Sequence, residues 1–223
     1  MIHVRPNLLL CLLALALFFA CNNTEQSNKT LKDSTVVKTY IDTSIIAMAP
    51  APQETSADTS IAELNDHILT QLKNRNYSAL TQFIHPGRGV RFSPYGYIDT
   101  LRNKRLSAAQ FEQMIGSSEQ LFWGEYDGSG DSILLTGKAY FERFVYNRDF
   151  LNAEKTSLNK TLGRGNALEN LHLVYKDHPY VESYFSGFDK KYGGIDWCSL
   201  RMVYQQLNGK YYIVGIIHNE WTS

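Results

Sequence analysis

The segment 195–221, IDWCSLRMVYQQLNGKYYIVGIIHNEW, decides the fold. It reads as two long strands joined at Asn208-Gly209, a dipeptide that favours the tight hairpin turn because both residues tolerate positive φ. With those two residues as the loop, Leu207 faces Lys210. An unbroken register then sets Val203 against Val214, Arg201 against Ile216, Ser199 against His218 and Trp197 against Glu220. Side chains alternate across a strand, so these residues share one face. The opposite face carries Cys198, Leu200, Met202 and Tyr204 with Asn219, Ile217, Gly215 and Ile213. It is almost wholly apolar and has to be covered. The first face is apolar beside the turn and polar at its far end, where Trp197, Arg201, His218 and Glu220 would meet, with Asp196 adjacent. A slip of one residue would scatter that cluster.

Working outward, Pro179 to Phe185 alternates and predicts a strand leading into the hairpin. Ser60 with Glu63 predicts a capping box, followed by the stripe Ile61, Leu64, Ile68 and Leu72 on a helix to about residue 74. Tyr77, Leu80, Phe83 and Ile84 predict a second short helix that stops before Pro86. GVRFS (89–93) reads as a strand. Ser107 with Gln110 caps a helix bearing Phe111, Met114 and Ile115. Thr136 caps another bearing Tyr140, Phe141, Phe144 and Val145. WGEYDGSGD (123–131) reads as a loop and Gly163 to Asn166 as a turn.

Helices first and long strands last predict an α+β domain over 59–223, with N-terminal helices packed on a curved antiparallel sheet. The order resembles the cone of nuclear-transport-factor-2-like domains, with a cystatin-like layout as the near alternative. Such a resemblance implies an enclosed pocket and no particular reaction.

The N-terminus has a different character. Leu8 to Ala20 is an unbroken apolar run of thirteen residues behind Arg5, too short to span a bilayer and right for a signal-peptide core. Phe18-Phe19-Ala20-Cys21 resembles a bacterial lipoprotein box, with Phe18 in place of the usual Leu. That resemblance implies removal of 1–20 and acylation of Cys21, hence a lipid-bilayer partner. Segment 21–58 is polar, ends rich in Ala and Pro, and lacks any sustained period; it reads as a flexible tether. Asn22 and Asn23 are not the Asp that retains some lipoproteins in the inner membrane, which points to the outer one. With Cys11 in the signal and Cys21 lipidated, Cys198 alone remains, on the apolar hairpin face, as a buried inert thiol.

The stretches HPGRGVRFSPY (85–95), WGEYDGSGD (123–131), GRGN (163–166) and DWCSLRMVYQQLNGKYYIVGIIHNEWT (196–222) together resemble a family of bacterial exported lipoproteins. The resemblance spans nearly the whole folded part. It implies an envelope location and supplies no reaction.

The 22 basic and 22 acidic residues balance, and no basic stripe argues for nucleic acid. Three constellations could carry chemistry. The hairpin end (Asp196, Trp197, Arg201, His218, Glu220) could bind a small anionic or sugar-like ligand, supply acid–base groups for hydrolysis of glycan or cell-wall material, or simply pair internally to close the sheet end. The loop 85–91 places Arg88 and Arg91 among glycines, fit for a carboxylate or phosphate, or a connector whose Arg91 pairs with an acid. Asp127 to Asp131 resembles the start of a calcium loop but has Ser132 and Lys138 where Gly and Glu are needed. No metal or cofactor signature is complete, and neither HExxH nor GxSxG occurs. The expectation is a non-catalytic binding or structural domain. A homodimer through the exposed sheet face is a third possibility.

Overall fold

The computed structural model describes residues 57–222. The signal segment, Cys21 and the tether up to residue 56 lie outside the described residues. The first helix, α1 (Ala57–Lys73), starts before the expected capping box, so Ser60 and Glu63 are interior helical residues. The stripe itself is as read: Ile61, Ile68 and Leu72 are buried, joined by Leu69 and by the polar Asn65. Tyr77–Phe83 forms a 3₁₀ helix that buries Tyr77, Leu80 and Phe83.

Next come β1 (Val90–Ser93), β2 (Arg105–Leu106) and α2 (Ala108–Gly116), whose capping box is the predicted one: Ser107 Oγ accepts from Gln110 N, and Gln110 Oε1 from Ser107 N. β3 (Leu121–Glu125) and β4 (Ser132–Leu135) form a separate hairpin. The stretch 123–131, expected to be all loop, therefore begins in a strand, and only its Asp/Gly-rich half turns. Thr136 caps α3 (Gly137–Tyr140), which runs into a π turn at Phe141–Val145. β5 (Lys155–Leu158), α4 (Leu171–Val174), β6 (Tyr180–Phe185), β7 (Cys198–Leu207) and β8 (Lys210–Glu220) complete the chain.

The main sheet has the order β2-β1-β8-β7-β6-β5. It is curved, as expected, but not purely antiparallel, because β1 runs parallel to β8, with Phe92 beside Ile216. A strand reached only after a long excursion can enter a sheet in either direction, and the sequence of β1 holds no sign of which.

One face of the sheet meets α1, α2, the 3₁₀ helix and the π turn. Its core includes Phe92, Leu200, Met202, Tyr204, Ile213 and Ile216 with Phe111, Trp123, Tyr140, Phe141 and Phe144. Trp123 and Tyr140 stack with centroids 3.9 Å apart, and Trp123 Nε1 donates to Leu135 O. Tyr204 Oη, fully buried, donates to Asn65 Oδ1. The other face is covered as well. Ile98, Leu171 and Tyr175 pack there on Val203, Val214 and Ile217. Both faces are thus filled by side chains.

The hairpin turn is where it was read. Asn208 and Gly209 have φ of 51° and 76°, and Leu207 pairs with Lys210. The register then breaks. Tyr204 pairs with Ile213, but Val203 pairs with Gly215, so Val214 is the extra residue of a β-bulge. Beyond it every partner is shifted by one: Arg201 faces Ile217, Leu200 faces His218, Ser199 faces Asn219 and Cys198 faces Glu220. Gly215 makes the bulge possible. A Cβ there would lie 2.7 Å from Tyr175 Oη, the hydroxyl that donates to Val214 O. An isolated glycine within a strand is a known bulge signal.

Candidate functional site

The bulge sends the expected cluster to two sides of the sheet. Trp197 and Arg201 lie on the face of Val203 and Ile217. His218 and Glu220 lie on the face of the large core, opposite Leu200 and Cys198. Arg201 and His218 do not share the one pocket that the unbroken register required.

Arg201 is fully buried. Its Nε donates to Glu182 Oε1 (2.9 Å), and its Nη2 donates to Gly163 O (2.7 Å) and Glu169 Oε1 (3.0 Å). Glu182, also fully buried, accepts from the amides of Leu162 and Gly163. Asn219 Nδ2 donates to Glu169. Such a network ties β6, β7 and β8 to the loop 162–169. The Gly163-Arg164-Gly165-Asn166 stretch lies across the Trp197 ring, and a Cβ on Gly163 would come within 2.5 Å of it. Trp197 is buried under that loop. Asp196 Oδ2 accepts from the amides of Phe188 and Asp189, so it shapes a turn.

On the other face His218, fully buried, lies 3.2 Å from Glu220, and Arg143 grips the same carboxylate at 2.6 and 3.3 Å. Burial pushes Glu220 up, but the hydrogen bonds from His218 and Arg143 outweigh it and hold the acid at about 2. Burial lowers His218 below the usual imidazole range, against the pull of Glu220. The ring is therefore the neutral donor, and Arg143 carries the balancing charge. Burial pushes the Cys198 thiol up to about 12, as an inert cysteine requires.

Of the six expected ligand residues, Arg91 lines a cleft. It pairs with no acid among the described residues. Its Nη1 donates to the carbonyls of Thr100 and Asn103 instead.

A groove of about 790 Å³ opens elsewhere, within the range of small-molecule sites. Its walls come from Pro94 to Asn103, from Gly124 to Gly130 and from Asn166 to Leu168, with Thr222 at one end. Tyr97 and Leu168 are largely exposed; Tyr95 and Tyr126 are half-buried. The acids around it are already engaged. Glu125 pairs with Arg102 at 2.6 Å, Asp99 accepts from the amides of Leu101 and Arg102, and Asp127 accepts from Gly128 N and the Thr222 hydroxyl. Gly124, at φ 138°, lies beside Pro94 and Asn103 where β3 passes the groove floor. In the sequence these residues present themselves only as a loop and a calcium-like turn. A denser signal was present, because SPY, WGEYDGSGD, GRGN and the closing Thr222, all within the stretches carrying the lipoprotein resemblance, supply residues to this groove. Among the described residues no group of three His, Cys, Asp or Glu could hold a metal ion, and no helix is long and apolar enough to cross a membrane.

Neither a protein-family profile nor a curated protein matches the chain. Among solved structures it is similar to one described as a calcium/calmodulin dependent protein kinase II association domain from Xanthomonas campestris. The two are 16% identical with a TM-score of 0.33, over 77% of this chain and 92% of that one.

Proposed function

We propose that this chain is a lipid-anchored protein of the bacterial envelope, held by acylated Cys21 in the outer membrane, whose folded domain binds a sugar-like ligand without catalysis. We read its architecture as nuclear-transport-factor-2-like. What supports that reading is the helix pair ahead of a curved sheet.

The observation that carries the binding reading is the groove: three tyrosines flank it, with engaged carboxylates and the amides of Asn103 and Asn166 between them. Aromatic rings offer apolar faces to sugar C–H groups, while carboxylates and amides accept from or donate to hydroxyls. The carboxylates are fixed as acceptors by Arg102, backbone amides and Thr222, which suits holding a ligand rather than exchanging protons with it. The hydrolase alternative needs Glu220 or Asp196 with His218 as its acid–base pair and Arg201 to orient the ligand, but Arg201 and His218 lie on opposite faces. A homodimer through an exposed sheet face is the third reading; Ile98, Leu171 and Tyr175 cover Val203, Val214 and Ile217 on the face in question.

Titration of the full chain with chitotriose, maltotriose and cellotriose, followed by tyrosine and tryptophan fluorescence, tests the site. Saturable binding of one sugar, weakened about tenfold by Tyr97→Ala, is expected. Binding indifferent to that substitution, or none to any of the three, rejects the groove. Incorporation of labelled palmitate, abolished by Cys21→Ser, is the expected result for the anchor.

A further inference from the structure

A second cleft, of about 170 Å³, is lined by Arg88, Arg91 and Arg105 with Tyr175, Val174 and Val214. It shares no lining residue with the tyrosine groove, so it stands independently of the reading above. Its lining holds three guanidinium groups and no acid.

Two of the arginines are forced together by the sheet. Arg91 on β1 and Arg105 on β2 are direct cross-strand partners. Like charges in that position repel, and a neighbouring acid normally relieves the repulsion. Among the described residues none of Arg88, Arg91 and Arg105 forms an ion pair, although other arginines of the chain do. Nearby acids serve elsewhere: Asp99, the closest in sequence, caps the amides of Leu101 and Arg102, and Asp177, two residues beyond Tyr175, lines a different cleft with His172 and His178.

The arginines are also held in place. Arg91 is pinned by one nitrogen to the carbonyls of Thr100 and Asn103. Arg88 Nη1 donates to Gln205 Oε1 (2.8 Å) and meets His178 Nε2 at 2.9 Å. Arginine has only donors, so His178 accepts there and presents its Nδ1 proton to Lys176 O. Each pinned guanidinium keeps further N–H groups free, and Arg105 has all of its own. The Tyr175 hydroxyl gives its proton to Val214 O, so it offers the cleft no donor of its own.

We propose that this cleft binds a small tetrahedral oxyanion, a phosphate or the phosphate end of a monoester. Three forked cations supply more donors than the two oxygens of a carboxylate can accept, whereas a phosphate has enough acceptors. The volume lies below that of drug-sized sites, so it takes the anion itself or the anionic end of a larger molecule. Occupancy neutralises the Arg91–Arg105 repulsion and ties β2, the short edge strand, to β1.

Calorimetric titration of the full chain with inorganic phosphate, glycerol 3-phosphate and acetate at matched ionic strength tests this. Saturable binding of both phosphates in the millimolar range or tighter, with acetate far weaker, is expected. A preference for glycerol 3-phosphate assigns the site to a headgroup-like ester, and equal affinities assign it to the free ion. Arg105→Gln weakens phosphate about tenfold or more, and Arg105→Lys, which keeps the charge but not the fork, falls between. In phosphate-free buffer Arg105→Gln raises the melting temperature by about 1–2 °C through relief of the cross-strand repulsion. Wild-type phosphate affinity in Arg105→Gln, or acetate bound as well as phosphate, overturns the proposal.

Discussion

Arg201 holds two carboxylates, the fully buried Glu182 and the partly exposed Glu169. A buried ion pair adds little over an apolar pair of the same shape, but stripping one partner leaves the other charged and dry. Arg201→Leu is therefore expected to lower stability by about 3–5 kcal/mol, and the double change with Glu182→Leu to recover much of that loss; urea denaturation of the single and double variants measures it. Gly163 belongs to the same network. Its carbonyl accepts from Arg201 and its amide donates to Glu182, while the absence of a side chain lets it rest on Trp197. Gly163→Ala should cost roughly 1–3 kcal/mol by overpacking and shift the tryptophan emission as the loop lifts. Small residues here set how closely a loop approaches a ring.

The hairpin of β7 and β8 contains the two backbone devices that matter most. At its tip Gly209, in the left-handed region, tolerates no other residue without strain: Gly209→Ala should cost about 1–2 kcal/mol. In its middle the bulge at Val214 depends on Gly215 lying beneath Tyr175. Gly215→Val drives a methyl into the tyrosine hydroxyl, 2.7 Å from the ideal Cβ position, and should be the more damaging change. Tyr175→Phe removes only the hydrogen bond to Val214 O and should cost about 1 kcal/mol. Chemical denaturation ranks the three variants, and a Gly215→Val variant as stable as wild type would contradict the part assigned to the bulge.

For the molecule as a whole, the group formed by the buried His218 with the partly exposed Glu220 and Arg143 makes stability depend on pH. Glu220's native value of about 2 lies below its ordinary 4.5. Its contribution, on the order of 3 kcal/mol, is complete above pH 4.5 and disappears as pH falls toward 2. His218, also lowered from 6.5, adds a loss of the same sign that begins near pH 6.5, because the unfolded chain takes up that proton first. Both act in the acid direction, so the domain should weaken progressively below about pH 6.5. Urea midpoints at a series of pH values measure the effect. Glu220→Gln should flatten the part between pH 4.5 and 2 and, by removing the pull of Glu220 on His218, deepen the part that begins near pH 6.5. An unaltered profile would show that this group does not control the acid response.

Much of the layout was legible locally. The turn at Asn208-Gly209, the Ser107 and Thr136 caps and the stripe from Ile61 to Leu72 each rest on neighbours in the chain, and a local signal survives folding. Tyr180–Phe185 was read from its alternation in the same way. The facing of the hairpin's far half was not legible, because one bulge residue reverses every side chain beyond it; Gly215 hinted at the bulge, but Tyr175, thirty-nine residues away in sequence, anchors it. Nor did the chain show that β1 would lie parallel to β8, or that Arg105, never singled out, would face Arg91 across two strands. Sequence alone set those caps, that stripe and the hairpin turn, since they depend on residues within a few positions of each other. Which polar groups became neighbours was settled only by tertiary structure, since strand register and strand partners are fixed by packing between distant segments.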